Sequence, residues 1–161
     1  MAVTATPIFA QTANVGALNA IISTAMTNTT AFDGTMAVGT AMALCYTAGA
    51  NGSRIDQIQM KFASTNGATA SGTSAATLVR LWINNGSANT TAGNNIFLGE
   101  VAMPATAVAA LSTTANTVYG LAVPVGGLNL PAGYRIYAGL TVAPGTATNL
   151  AIAINTVGGD Y

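Results

Sequence analysis

The residues able to do chemistry are few. The chain has no histidine in 161 residues. The Ser-His-Asp and Cys-His arrangements, the usual zinc sites and the commonest general base are therefore missing. Four carboxylates remain: Asp33, Asp56, Glu100 and Asp160. Two carboxylates about 5–10 Å apart can cleave a glycosidic bond, and sequence leaves that pairing open. None of the four, however, lies in a run of polar and aromatic residues that would build a sugar cleft. Their ordinary readings are turn caps for Asp33 and Asp160 and surface ion pairs for Asp56 and Glu100. No catalytic, cofactor-binding or metal-binding residue is assigned, and the chain does not read as an enzyme.

Other candidates reduce to structure in the same way. The single cysteine, Cys45, lies in the apolar run MALCY. It has no partner for an intrachain disulfide and reads as a buried thiol. Gly49-Ala50-Asn51-Gly52-Ser53 is rich in glycine, but it lacks the lysine of a phosphate loop and precedes a strand, so it reads as a turn. No calcium-loop spacing of acids occurs. Trp82 and the five tyrosines could form a sugar platform. Trp82 lies in the dense apolar stretch TLVRLWIN and reads as core. Sequons at Asn28, Asn51, Asn85 and Asn89 are expected by chance in a chain this rich in Asn and Thr. Arg54 and Asp56 flank Ile55 and so point to one face of a strand. They can pair with each other or with a neighbouring subunit.

Composition sets the context for that pair. Only 5% of residues are charged, net charge is zero and 51% are hydrophobic. Mean hydropathy is +0.51. Ordinary soluble domains carry roughly 25% charge. Gly, Thr, Ser, Asn or Pro interrupts every apolar run before the roughly 18 residues that a membrane helix needs, so no membrane span is expected. The N-terminal stretch MAVTATPIFAQTANVG lacks the basic and apolar regions of a signal peptide. Four Lys and Arg among four acids cannot make a nucleic-acid stripe. A neutral, charge-poor surface predicts self-association.

The elements that must position these residues read as strands. An extended arm is expected over residues 1–16, because Pro7 disfavours helix before it and only Ile8 and Phe9 are large and apolar. One domain is expected over 17–161. Residues 17–26 fit either period and are read as strand. Further strands are read over Met42–Thr47, Ile58–Phe62, Thr77–Asn84, Ile96–Met103, Thr117–Val125, Tyr134–Val142 and Leu150–Asn155. Polar loops and Pro/Gly turns separate them, with a single helical turn allowed within Ala105–Ala115. The fold class is all-β: an antiparallel, jelly-roll-like β-sandwich with an extended N-terminal arm.

Five stretches carry a resemblance: TPIFAQT, YTAGANGSRIDQI, LVRLWI, LPAGYRIYA and GGDY. In order along most of the chain, they resemble a family of small tailed-phage and prophage virion proteins, most specifically at TAGANGSRID. The resemblance implies a capsid decoration (cement) protein on the phage head surface, made in the bacterial host cytoplasm. Its partners would be the major capsid protein and itself, as a homotrimer, without nucleic acid, membrane or cofactor. Ile8 and Phe9 in the arm, with Arg54 and Asp56, are the expected partner-interface residues. The alternative is a tail, head–tail connector or fibre-associated protein whose sandwich binds a host glycan. That alternative calls for aromatics on the loops, and the two long loops lack them.

Overall fold

The computed structural model describes residues 12–15, 20–26, 42–64, 73–89, 91–106, 117–145 and 150–161. Ten strands occur among them: β1 Thr12–Val15, β2 Ala20–Ile22, β3 Ala43–Thr47, β4 Ser53–Ser64, β5 Thr77–Asn84, β6 Asn95–Met103, β7 Tyr119–Leu121, β8 Leu128–Leu130, β9 Arg135–Leu140 and β10 Leu150–Asp160. The one helical element described is a single 3-10 turn, Ala92–Asn94. Every strand pair is antiparallel, as the all-β expectation requires.

Two sheets result. In the first, β4 lies along the whole of β10, while β1 and β2 follow one another along the other edge of β10. β7 and β8 likewise share the far edge of β4. The second sheet has the order β3-β9-β5-β6. Counting β1–β2 and β7–β8 as one interrupted strand each gives eight strands, paired first with last, second with seventh, third with sixth and fourth with fifth.

Alternation makes the core. Val79, Leu81, Ile136, Ala138 and Leu140 point inward from the second sheet. They meet Ile55, Ile58, Met60, Phe62, Ile152 and Ile154 from the first, all nearly inaccessible. Fully burying one such aliphatic side chain is worth about 1.5–3 kcal/mol. The strand β5 is covered on both faces, as its double apolar pattern predicts. Its outward Trp82 meets the Phe97 ring edge-on at 5.9 Å and packs with Met26, Met42 and Tyr137. Trp82 is thus buried, although on the outer side of its sheet.

Several boundaries differ from the sequence reading. Thr12–Val15, placed in the arm, is a strand of the chain's own sheet; residues 1–11 lie outside the described residues. The ambiguous segment forms a strand over Ala20–Ile22. The allowed helical turn falls mostly on residues 107–116, also outside the described residues. Thr117–Val125 is strand only over Tyr119–Leu121, and the unforeseen β8 follows. The reason lies in β4. Gln57 pairs with Val157 and Ile55 with Gly158, leaving Asp56 as an extra bulged residue. The edge strand is interrupted at the same level, between Leu121 opposite Ile58 and Leu128 opposite Ile55. The bulge turns both Ile55 and Ile58 into the core and leaves Asp56 and Gln57 outside. It also lets β10 continue five residues past Asn155, the end read from sequence.

Two buried groups, Trp82 Nε1 and the Thr156 hydroxyl, have no hydrogen-bond partner among the described residues. The Thr156 hydroxyl is inaccessible. Removing an unpaired buried hydroxyl while keeping its shape relieves a desolvation cost. Thr156→Val is expected to stabilise the fold by about 1 kcal/mol. A raised urea midpoint with an unchanged slope would show it, and a lowered midpoint would refute it.

Candidate interaction surface

The outer face of the first sheet holds the candidate residues that the structure describes. Arg54 and Asp56 stand on the same face at the bulged start of β4. Arg54 Nε lies 2.8 Å from Asp56 Oδ1, and Arg54 Nη2 donates to Asp56 Oδ2 at 3.3 Å. Both side chains are more than two-fifths exposed, so the pair is worth at most about 1 kcal/mol. The Arg54 stem lies over Gly127, where a Cβ would sit 2.7 Å from Arg54 Cγ. The structure therefore brings Arg54 and Asp56 together, as their spacing implies. Ile8 and Phe9 fall outside the described residues.

Further along the same face are Gln57, Gln59 and Lys61 of β4 and Ala153 and Asn155 of β10. Gln59 Nε2 donates to Gln57 Oε1 at 2.8 Å. Ile21 of β2 and Val118 rise at either edge, both about half exposed. With Gln59, Lys61, Ala153 and Asn155 they line a shallow concavity of about 370 Å³. Lys61 has no ion-pair partner among the described residues. The face is thus broad and amide-rich, with Arg54, Asp56 and Lys61 as its described charges. It offers hydrogen bonds and flat contact, with no described acid–base pair aimed at a common point.

Glu100 and Asp160 are structural. Arg80 on β5 sits directly opposite Glu100 on β6, with Nε 3.1 Å from Oε2. This is the surface pair expected of Glu100. Asp160 departs from its expected role as a turn cap. It ends a strand, where its Oδ1 accepts hydrogen bonds from Tyr46 Oη at 2.7 Å and from Ser53 Oγ. Ser53 Oγ in turn accepts from Gly49 N at 2.9 Å. The carboxylate therefore braces the Gly49–Gly52 turn from the far end of the chain. Asp33 lies outside the described residues.

That bracing gathers three of the sequence stretches at one end of the sandwich. Tyr161 N donates to Gly52 O at 3.1 Å, and Tyr161 Oη to Asn129 Oδ1 at 2.8 Å. Ala48 N donates to Tyr134 O, and Tyr134 N to Pro131 O, which closes a turn with Gly133 at positive φ. Gly52 passes so close to Leu130 O that a Cβ would stand 2.7 Å from it. YTAGANGSRIDQI, LPAGYRIYA and GGDY thus meet in space, and their glycines permit the backbones to touch.

The loop between β5 and β6 adjoins this corner and is wired by asparagines. Asn84 Nδ2 donates to Asn95 Oδ1 at 2.8 Å, and Asn85 Nδ2 to Asn94 Oδ1 at 3.2 Å. Asn95 Nδ2 donates to the carbonyls of Asn89 and Thr91. The sequence reading treated this stretch as a polar loop. Its signal was the Asn-Asn pair at each end, 84–85 and 94–95.

No acidic, thiol or imidazole cluster suited to a metal occurs among the described residues. Cys45 is buried, and burial pushes its thiol pKa up to about 12. None of the described helical elements is long and apolar enough to cross a membrane. No family model, curated protein or solved structure matches this chain.

Proposed function

We propose that this chain is a structural protein of a tailed-phage virion, specifically a decoration protein that binds the major capsid shell from outside and stabilises the head. The observation that carries the reading is the nested strand order, first with last inward to a central hairpin. We read that order as a jelly roll, an architecture of viral capsid and lectin domains. The outer face supports the same reading. It is rigid, built from long central strands, and bare of charge apart from Arg54, Asp56 and Lys61. Lying flat against a protein shell, such a face would bury the Arg54–Asp56 pair already matched, and Lys61 would need an acceptor from the shell. The five stretches that resemble virion proteins supply the biological context.

The protein acts as a homotrimer in this reading and performs no chemistry. Light scattering is expected to give a trimer, and a monomer throughout the micromolar range would overturn that assembly. Replacing both Arg54 and Asp56 by alanine is expected to change fold stability by less than about 1 kcal/mol. It is also expected to lower occupancy on capsids, visible by electron microscopy of particles carrying a labelled copy. Unchanged occupancy would remove the pair from the interface. A second reading, a tail, connector or fibre-associated glycan binder, draws on the amide-lined concavity around Gln59 and Asn155. A labelled copy on the tail, with glycan binding lost in Gln59→Ala, would favour it.

A further inference from the structure

Three Asn-Gly pairs occur, at Asn51, Asn66 and Asn85. Asn66-Gly67 lies outside the described residues. Asn-Gly is the dipeptide best able to cyclise, because glycine has no Cβ to hinder the backbone nitrogen from approaching the side chain. The deprotonated glycine nitrogen attacks Asn Cγ, a C–N bond forms, and the side-chain nitrogen leaves as ammonia. Water then opens the succinimide at either carbonyl, which yields aspartate or isoaspartate.

Both described sites lie in turns, and both engage the attacking nitrogen. Gly52 N donates to Gly49 O at 3.0 Å, and Gly86 N to Asn84 Oδ1 at 2.9 Å. They differ at the carboxamide. Asn85 is held at both ends: its Nδ2 donates to Asn94 Oδ1, and its Oδ1 accepts from Ser87 N at 3.0 Å. Asn51 is exposed and held once, by Nδ2 donating to Tyr161 O at 3.2 Å. Its Oδ1 accepts no hydrogen bond among the described residues. Cyclisation must rotate the carboxamide out of these bonds, so Asn85 has one more bond to break.

We propose that Asn51 is a site of spontaneous deamidation in the folded protein, and that Asn85 is held against it. The product changes the corner of the sandwich. A carboxylate at position 51 cannot donate to Tyr161 O. An isoaspartate also lengthens the backbone beside Gly52, whose carbonyl receives Tyr161 N. Deamidation would therefore loosen the end where β10 meets the Gly49–Gly52 turn.

The test is peptide mapping by mass spectrometry. The intact chain is incubated at mildly alkaline pH, folded in buffer or unfolded in urea, and the gain from amide to acid is followed at each site. In urea the two sites are expected to convert at similar rates. In the folded protein Asn51 is expected to convert roughly tenfold faster than Asn85, the factor set by one extra hydrogen bond. Equal rates in the folded protein would overturn the proposal, and so would an Asn51 that reacts only in urea.

Discussion

Gly158→Ala is expected to destabilise the protein by about 3 kcal/mol, the upper end of overpacking effects. The methyl group would be driven into the carbonyl oxygen of Arg54, with Arg54 C and Ile55 Cα both 3.0 Å away. These are backbone atoms of the central strand, so no side-chain rotation relieves the contact. Gly158 stands where β10 passes the Asp56 bulge, and its backbone lies against that of β4 there. The loss should lower Tm by roughly 6–12 °C for a domain of this size. Gly93→Ala is the control: nothing lies within 4 Å of a Cβ there, and no positive φ is involved. Calorimetry should leave that variant within about 0.5 kcal/mol of the parent. Equal melting of Gly158→Ala and the parent would show that the bulge relaxes freely.

The second large effect is alkaline. Cys45 is buried in the folded chain, and desolvation raises its thiol pKa from 9.0 to about 12. The unfolded chain therefore gives up this proton first as pH rises. Below pH 9 both states keep it, and the contribution to stability is present in full. Above that value stability is lost by about 1.4 kcal/mol per pH unit until the folded thiol also ionises. The measurement is made as a difference. Urea unfolding of the parent and of Cys45→Ala at stepped pH values isolates the thiol. The stability gap between them should shift against the parent with that slope above pH 9. A gap independent of pH would mean that the thiolate is tolerated in place.

Some of this was legible in the residues. The alternation of Ile58, Met60 and Phe62 with Gln57, Gln59 and Lys61 specifies a strand with one wet face, and the structure has it. Local physics suffices there, because a pleated backbone sends successive side chains to opposite faces. The same holds for Arg54 and Asp56, whose spacing across Ile55 puts them in contact whatever the remote partner strand. Cys45 within MALCY reads as buried from its neighbours alone.

Other features depend on residues far apart in the chain, and local pattern is silent about them. The Asp56 bulge becomes visible only when Gly158 lies opposite Ile55, so the inward placement of both Ile55 and Ile58 was not readable from β4. The break between Leu121 and Leu128 follows from that bulge on the neighbouring strand, and Thr117–Val125 by itself reads as continuous. Asp160 looks like a turn residue after Gly158-Gly159, yet it serves Tyr46 and Ser53 more than a hundred positions away. Sequence alone therefore determined the fold class and the lack of histidine, since both rest on residue type and short periods. Tertiary structure decided the order of the strands, the position of the bulge and which glycines bear the close approaches. Those depend on which strands meet and on how closely their backbones pass.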